Sequence, residues 1–163
     1  MMRRHDKGFT LVEALVALTI LTVGLVPAFI QASNAVALSG SVRNSLIAAH
    51  LASEGAEIAR SLRDADWAAG RPFGQSLSGC DAGCRVQWDS QAMLPLTGNP
   101  PLLVDQTSGL YQYATGNESR FSRQIFVTTV SAQELKLDVR VSWNENSGPK
   151  EFAIEYRLFN WLQ

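Results

Sequence analysis

Three side chains in this sequence stand where they could do chemistry: Cys80, Cys84 and Glu13. The two cysteines are separated by three residues, a spacing that suits either metal ligation or a local disulfide. A zinc site takes four nitrogen, sulfur or oxygen ligands at recognisable spacing, and the only histidines, His5 and His50, do not complete such a set. We therefore expect no metal and no cofactor, and a Cys80–Cys84 disulfide if the segment is exported.

Glu13 is the only charged residue in the 22-residue stretch from Phe9 to Ile30. A helix of about 20 apolar residues spans the hydrocarbon core of a membrane, so this stretch is long enough to cross it. A carboxylate inside such a segment costs about 2–4 kcal/mol to insert and is usually functional and paired. The alternative is that Glu13, close to the edge of the segment, reaches back to water.

The residues before the apolar stretch predict its orientation. Arg3, Arg4 and Lys7 are basic, against a single acidic residue, Asp6. Basic residues flanking a membrane helix stay on the cytoplasmic side. We expect a single-pass protein of the inner, cytoplasmic membrane, with its C-terminal part outside the cytoplasm.

The remainder of the chain lacks the residue combinations of an enzyme. No nucleophile is paired with a base, glycine-rich phosphate loops are absent, and Glu54 and Glu57 suit the solvated side of a helix. The net charge of −1 is a poor match for nucleic acid, so no general nucleic-acid binding is expected. Tryptophan packing in a core is favoured over a tryptophan platform for a ligand.

The apolar stretch continues into an amphipathic helix. Ile47, Leu51, Ile58 and Leu62 are spaced by 4, 7 and 4 residues, which predicts one helical stripe. The predicted helix runs from Phe9 to about residue 64, although Gly24 and Pro27 interrupt its apolar half.

Beyond the helix the pattern changes to loops and strands. Glycines between residues 70 and 83, and prolines at 95, 100 and 101, predict two loop-rich stretches with a short strand at 85–89 between them. Strands are predicted at 124–130, at 135–143 and at 152–158, with a turn at 144–149. The last two strands alternate apolar and polar residues, as in an antiparallel meander with one buried face. The expected class is α+β.

The heptapeptide Lys7-Gly8-Phe9-Thr10-Leu11-Val12-Glu13 resembles the processing motif of type IV prepilins. The resemblance implies cleavage after Gly8, N-methylation of the new N-terminal Phe9, and a role for Glu13 in filament assembly. The segment from Ala49 to Asp64 resembles the late helix of prepilin-like proteins, where the pattern LAxEGxExxRxxRD recurs. The strand 139–143 and the segment 158–161 resemble minor-pilin heads.

The resemblance implies a pilin-like fold, one long helix packed on an antiparallel sheet, divided along the chain. The expected parts are a cytoplasmic leader at 1–8, a membrane half of the helix at 9–38, an amphipathic half at 39–66 and an extracytoplasmic head at 67–163. Expected partners are the prepilin peptidase and N-methyltransferase, other pilin subunits, and the inner-membrane platform of the assembly machine.

Three functions stay open at this point. The first is a structural subunit, a minor pilin of a type IV pilus that moves from the membrane into an extracellular filament. The second is a pseudopilin of a type II secretion system, which shares the processing motif. The third is a membrane-anchored binding protein with an extracytoplasmic β domain. An enzyme ranks last.

Overall fold

The computed structural model describes residues 10–161. In chain order the elements are α1 (Leu11–Ala68), a 3₁₀ turn (Gln75–Leu77), β1 (Cys84–Arg85), β2 (Leu94–Pro95), β3 (Pro101–Val104), β4 (Tyr111–Gln112), β5 (Asn117–Ser131), β6 (Glu134–Glu145) and β7 (Gly148–Phe159). They fall into two compact units, one ending at Arg43 and the other beginning at Asn44. From here on, the head means this second unit, which includes the end of α1 and so begins earlier than the part expected at 67–163. The predicted α+β class is confirmed: one long N-terminal helix and a C-terminal antiparallel sheet.

Helix α1 continues through both residues that were expected to interrupt it. Gly24 and Pro27 lie inside the helix, although proline has no N–H to donate to the carbonyl one turn before it. The hydroxyls of two threonines donate hydrogen bonds to backbone carbonyls of the same helix. Thr19 Oγ1 donates to the Leu15 carbonyl at 2.7 Å, and Thr22 Oγ1 donates to the Leu18 carbonyl at 3.0 Å. Such bonds suit an apolar surrounding, because these hydroxyls then need no solvent partner.

Strand β5 is the centre of the sheet. On one edge it pairs with β6, which pairs in turn with β7. On its other edge β3 covers the first part of β5 and β1 covers a later part, with Cys84 opposite Ile125. Turns of two residues, 132–133 and 146–147, connect β5 to β6 and β6 to β7. The predicted meander is therefore present, with longer strands and shorter turns than the sequence suggested.

The proline-rich region departs from the prediction of an unbroken loop. It contains β2 and β3, while the strand expected at 85–89 ends already at Arg85. Pro101 is the first residue of β3, and Pro95 lies in β2, which pairs only with β1. Both are positions where a missing backbone N–H costs no central ladder bond, which explains why proline is compatible with these strands.

The buried face of α1 in the head is built mainly from small residues. Of the predicted stripe, Leu51 and Leu62 are buried, whereas Ile47 and Ile58 are only partly buried. The fully packed positions between them are Ala48, Ala52, Gly55, Ala56 and Ala59. A Cβ at Gly55 would lie 3.1 Å from Ile125 Cδ1, so glycine permits the helix to approach β5 this closely.

Core packing is confirmed for one tryptophan and wrong for two others. Trp143, on the inward face of β6, is 6% exposed and packs 5.9 Å from Phe121, centroid to centroid. Trp88 and Trp161 are 59% and 76% exposed. The difference follows from position, because Trp143 belongs to an alternating strand while the other two lie in a turn and after the last strand.

The predicted disulfide is present. Cys80 and Cys84 are bonded, with a Cα–Cα distance of 5.2 Å, and both are buried. The Cys80 carbonyl accepts the Val127 N–H at 3.2 Å, and Cys84 pairs with Ile125. The ring closed by the disulfide is thereby attached to the central strand at both of its ends.

Replacing both cysteines by alanine should lower the free energy of unfolding by about 2 kcal/mol, the chain-entropy value for so short a loop. Denaturant unfolding of the detergent-solubilised chain, followed by tryptophan fluorescence, measures the loss. Reduced wild-type protein is the matched control and should lose a similar amount. Two freely alkylatable thiols in the non-reduced protein, detected by mass spectrometry, would contradict the bond itself.

Candidate functional site

Thr10 and Glu13 form the first turn of α1. The Glu13 backbone N–H donates to Thr10 Oγ1 at 3.2 Å, and the Ala14 N–H donates to the Thr10 carbonyl at 3.2 Å. Thr10 is therefore the N-cap, and Glu13 stands at the third helical position, the spacing of a capping box. The Thr-x-x-Glu pattern is a sequence signal for such a cap, and it could have identified Thr10 as the local partner of Glu13.

A carboxylate in the first helical turn is also favoured by the positive end of the helix macrodipole. The local structure thus places the Glu13 carboxylate where the helix dipole favours it without a second chain, while the capping side chain is that of Thr10. The predicted cleavage pair, Gly8 and Phe9, lies outside the described residues. The roles assigned to Gly8, Phe9 and Glu13 therefore stay predictions.

The segment of α1 from Leu11 to Val42 exposes all of its large apolar side chains. An 18-residue window of the helix has a mean hydropathy of 2.2, and none of that window is buried. The core helix of a soluble protein would be covered by its own chain, whereas a membrane helix or a signal sequence would not. By length and composition this helix can cross a membrane, and with the residues before it the segment indicates membrane anchoring.

Arg123 is a buried charge that the alternation of β5 did not reveal. It occupies an inward position of that strand, between Phe121 and Ile125, and is fully buried. Its Nη1 donates to the Leu51 carbonyl at 2.9 Å, and its Nη2 donates to the Val86 carbonyl at 2.6 Å. Its Nε has no hydrogen-bond partner among the described residues. One guanidinium therefore joins α1, β5 and the segment that follows β1.

Arg123 also gives a physical reason for part of the late-helix pattern. Glu54 Oε1 accepts from Arg123 Nη1 at 3.2 Å, which provides the buried cation with a counter-charge. The next residue, Gly55, leaves room for the arginine, because a Cβ there would lie 3.2 Å from Arg123 Cδ. The Glu-Gly pair of the pattern thus fits both the charge and the volume of one arginine 69 residues away from Glu54.

Asp66 closes the end of α1 onto the loop that follows it. Its Oδ1 accepts from Arg71 Nε at 2.8 Å and from Ser76 Oγ at 2.6 Å, and its Oδ2 accepts from the Ser76 N–H at 2.8 Å. Burial by itself would raise the pKa of Asp66, but the hydrogen bonds from Ser76 and the nearby Arg71 outweigh it and hold the pKa below its ordinary value. The carboxylate therefore stabilises the fold in its charged form.

The C-terminal end of α1 also lies within an aromatic cluster. Trp67 stacks on Phe73 with ring centroids 6.1 Å apart, and Trp161 tilts against Trp67 at 6.2 Å. The Arg63 guanidinium lies 4.4 Å from the Trp67 centroid. Two of the four tryptophans considered for a ligand platform are thus brought together here, and Trp88 and Trp143 are not part of this cluster.

The described residues, 10–161, contain no group of three or more histidine, cysteine or acidic side chains that could hold a metal ion. His50, which the sequence did not place in a zinc site, is exposed on α1. The two buried charged side chains described above, Arg123 and Asp66, both form hydrogen bonds that stabilise the head.

Replacing Asp66 by asparagine should destabilise the head by about 1–3 kcal/mol, because Arg71 and Ser76 lose a charged, buried acceptor. Since the folded pKa of Asp66 is depressed, its contribution is fully present above its unfolded pKa of about 4 and is lost as the pH falls through the lower folded value. Thermal unfolding measured from pH 7 downwards should therefore show a flatter acid limb for D66N than for wild type. Asp81→Asn, at an exposed site, is the control, and parallel acid limbs for D66N and wild type would contradict this account.

Comparison with known proteins adds one match. Residues 3–29 match the family model described as the prokaryotic N-terminal methylation motif. The match includes the predicted cleavage pair, Glu13 and most of the apolar stretch, and it ends before the head. No curated protein and no solved structure matches the chain. The methylation motif, the long N-terminal helix and the C-terminal antiparallel sheet together fit a type IV pilin-like protein.

Proposed function

We propose that this chain is a minor pilin, a structural subunit that enters a type IV pilus after its leader is removed. The methylation motif supports the pilin or pseudopilin class, which consists of structural subunits and not of enzymes. The observation that carries the proposal is the position of that motif. The matched residues, 3–29, include the start of a helix whose large apolar side chains are all exposed as far as Val42, and a folded head follows.

In the proposed mechanism the precursor is first held in the membrane. The basic residues Arg3, Arg4 and Lys7 hold the leader in the cytoplasm, and α1 anchors the chain until assembly. The prepilin peptidase cuts between Gly8 and Phe9 and its methyltransferase activity modifies the new α-amino group. The inner-membrane platform then passes the subunit to the growing filament, where the exposed apolar face of α1 packs against the helices of other pilins.

Glu13 provides the register in this mechanism. Cleavage creates an α-ammonium on Phe9 in an apolar surrounding, where an unpaired charge is costly. The Glu13 carboxylate of a neighbouring subunit can neutralise it, and only one axial offset between the helices brings the two charges together. The pair need not add net stability, because desolvation offsets the attraction, but it penalises every other offset.

The capping geometry adds a constraint to that pairing. Glu13 contributes its backbone N–H to Thr10, so the turn that carries the carboxylate is held in helical form. Its side chain accepts no hydrogen bond shown in the described part of the chain. The carboxylate is therefore presented by a fixed helical turn, which suits a group that has to meet a partner at a defined height.

The first prediction concerns processing. Gly8→Val should leave the precursor uncut in the membrane, because the peptidase site has to accommodate a residue without a side chain. N-terminal sequencing of the membrane fraction should begin at a methylated Phe9 in wild type and at the original N-terminus in the variant. An uncut wild-type chain in cells with an active prepilin peptidase would overturn the assignment.

The second prediction concerns Glu13→Gln, which keeps the shape of the side chain and removes its charge. Membrane insertion and cleavage should persist, because a neutral amide is cheaper to bury than a carboxylate and the cut site is intact. Incorporation into filaments should fall at least tenfold. The measurement is the ratio of this protein in sheared filaments to that in membranes.

Thr10→Val is the matched control for the capping role of this turn. It removes the hydroxyl that accepts the Glu13 N–H and leaves both charges in place. If Glu13 acts in assembly through its charge, T10V should reduce incorporation much less than E13Q does. Equal losses in the two variants would assign the effect to the stability of this helical turn, and an unchanged ratio in E13Q would refute the pairing.

The pseudopilin function differs from the pilus function in where the assembled protein goes. Immunogold labelling of sheared surface filaments with antibody against the head distinguishes the two functions. Labelled filaments support the minor pilin. Label confined to the cell envelope, with Glu13-dependent assembly retained, supports the pseudopilin, and loss of all Glu13 dependence supports the anchored binding protein.

A further inference from the structure

The head contains a cavity of about 300 Å³ beside the turn that follows β1. Its apolar wall includes Val86, Leu94, Tyr113 and Ala114, and its charged lining includes Arg85 and Asp89. The volume is at the lower end of the range for small-molecule sites. None of these residues belongs to the N-terminal segment, so a ligand site in this cavity would be independent of the proposed filament function.

Arg85 and Asp89 line this cavity with opposite charges and form no ion pair with each other in the described part of the chain. The Arg85 guanidinium lies 5.7 Å from the Tyr113 ring centroid and forms no ion pair with an acidic side chain in the described part of the chain. Asp89 likewise has no cationic partner within residues 10–161, and its Oδ1 accepts only from Gln87 Nε2, at 2.7 Å. A small cavity with an unpaired cation and an unpaired carboxylate has the charge pattern complementary to a zwitterion.

The walls of the cavity are fixed by hydrogen bonds. The Gln87 side chain joins the turn to the strand region opposite, since its Oε1 accepts the Tyr113 N–H at 2.8 Å, and the Gln87 N–H donates to Ser90 Oγ at 2.9 Å. The Tyr113 hydroxyl donates to the Arg123 carbonyl at 2.9 Å. Burial raises the pKa of Tyr113, which keeps the phenol neutral and donating. A site held in this way loses little entropy when it binds a ligand.

We propose that this cavity binds a small zwitterion with an apolar side chain, the chemical class of the free α-amino acids. The planar guanidinium of Arg85 suits the ligand carboxylate, and the Asp89 carboxylate suits its ammonium group. Val86, Leu94 and Ala114 provide apolar contact for the ligand side chain. A ligand with one charge would leave the opposite protein charge facing it without a partner, which selects against simple acids and simple amines.

Isothermal titration of the detergent-solubilised full chain with leucine, leucinamide and N-acetylleucine tests this. Leucine should bind with a dissociation constant of about 1 mM or tighter, which is within the free energy per atom available to small ligands. Leucinamide lacks the carboxylate and N-acetylleucine lacks the ammonium, and each should bind at least tenfold more weakly. Absence of leucine binding at a concentration tenfold higher overturns the proposal.

Single charge changes then assign each end of the ligand. Arg85→Gln should remove the preference for leucine over leucinamide, and Asp89→Asn should remove the preference for leucine over N-acetylleucine. Arg120→Gln and Glu118→Gln, at exposed sites on β5, are the matched controls and should leave both preferences unchanged. Circular dichroism confirms that each variant is folded. Equal affinity for the three compounds in wild type, or equal effects of site and control variants, also overturns the proposal.

Discussion

A buried guanidinium is costly unless it is hydrogen-bonded. The head therefore has to bring hydrogen-bond acceptors to the buried Arg123. Its terminal nitrogens are satisfied where the Leu51 carbonyl, the Glu54 carboxylate and the Val86 carbonyl converge. Convergence at these distances requires α1 to lie close against β5, and this in turn requires small residues on the helix. Gly55 and the four alanines of the buried face meet that requirement.

The same arginine shows where prediction from sequence reaches its limit. The alternating strands β6 and β7 are predictable, because a period of two in apolar residues is a local property. Arg123 occupies a position of β5 where the alternation predicts an apolar residue. Because its hydrogen-bond partners are 72 and 37 residues away in sequence, no local pattern predicts its burial. For a similar reason the large stripe residues Ile47 and Ile58 are less buried than their spacing predicts. The small residues between them look neutral in the sequence, because only the closeness of the sheet gives them their role.

The functional features likewise divide into those set by neighbouring residues and those set by distant contacts. The methylation motif, the apolar stretch and the Cys80–Cys84 disulfide all depend on residues close in sequence, and each is predictable without the structure. The Asp66 network and the charged cavity depend on loops whose conformation is set by tertiary contacts. The capping role of Thr10 was missed although its signal is local and present in the sequence.

The two-residue turns joining β5, β6 and β7 determine the order in which the head can fold. Hairpins with such short loops close in about 1–10 μs, because little chain entropy is lost. The contacts that attach α1, from Asn44 to Glu145 and from Leu51 to Arg123, instead span 101 and 72 residues. The meander is therefore expected to form early and helix docking late. Because the strands follow the helix in sequence, the small-residue face of α1 remains uncovered until the final strands have been made and brought to it.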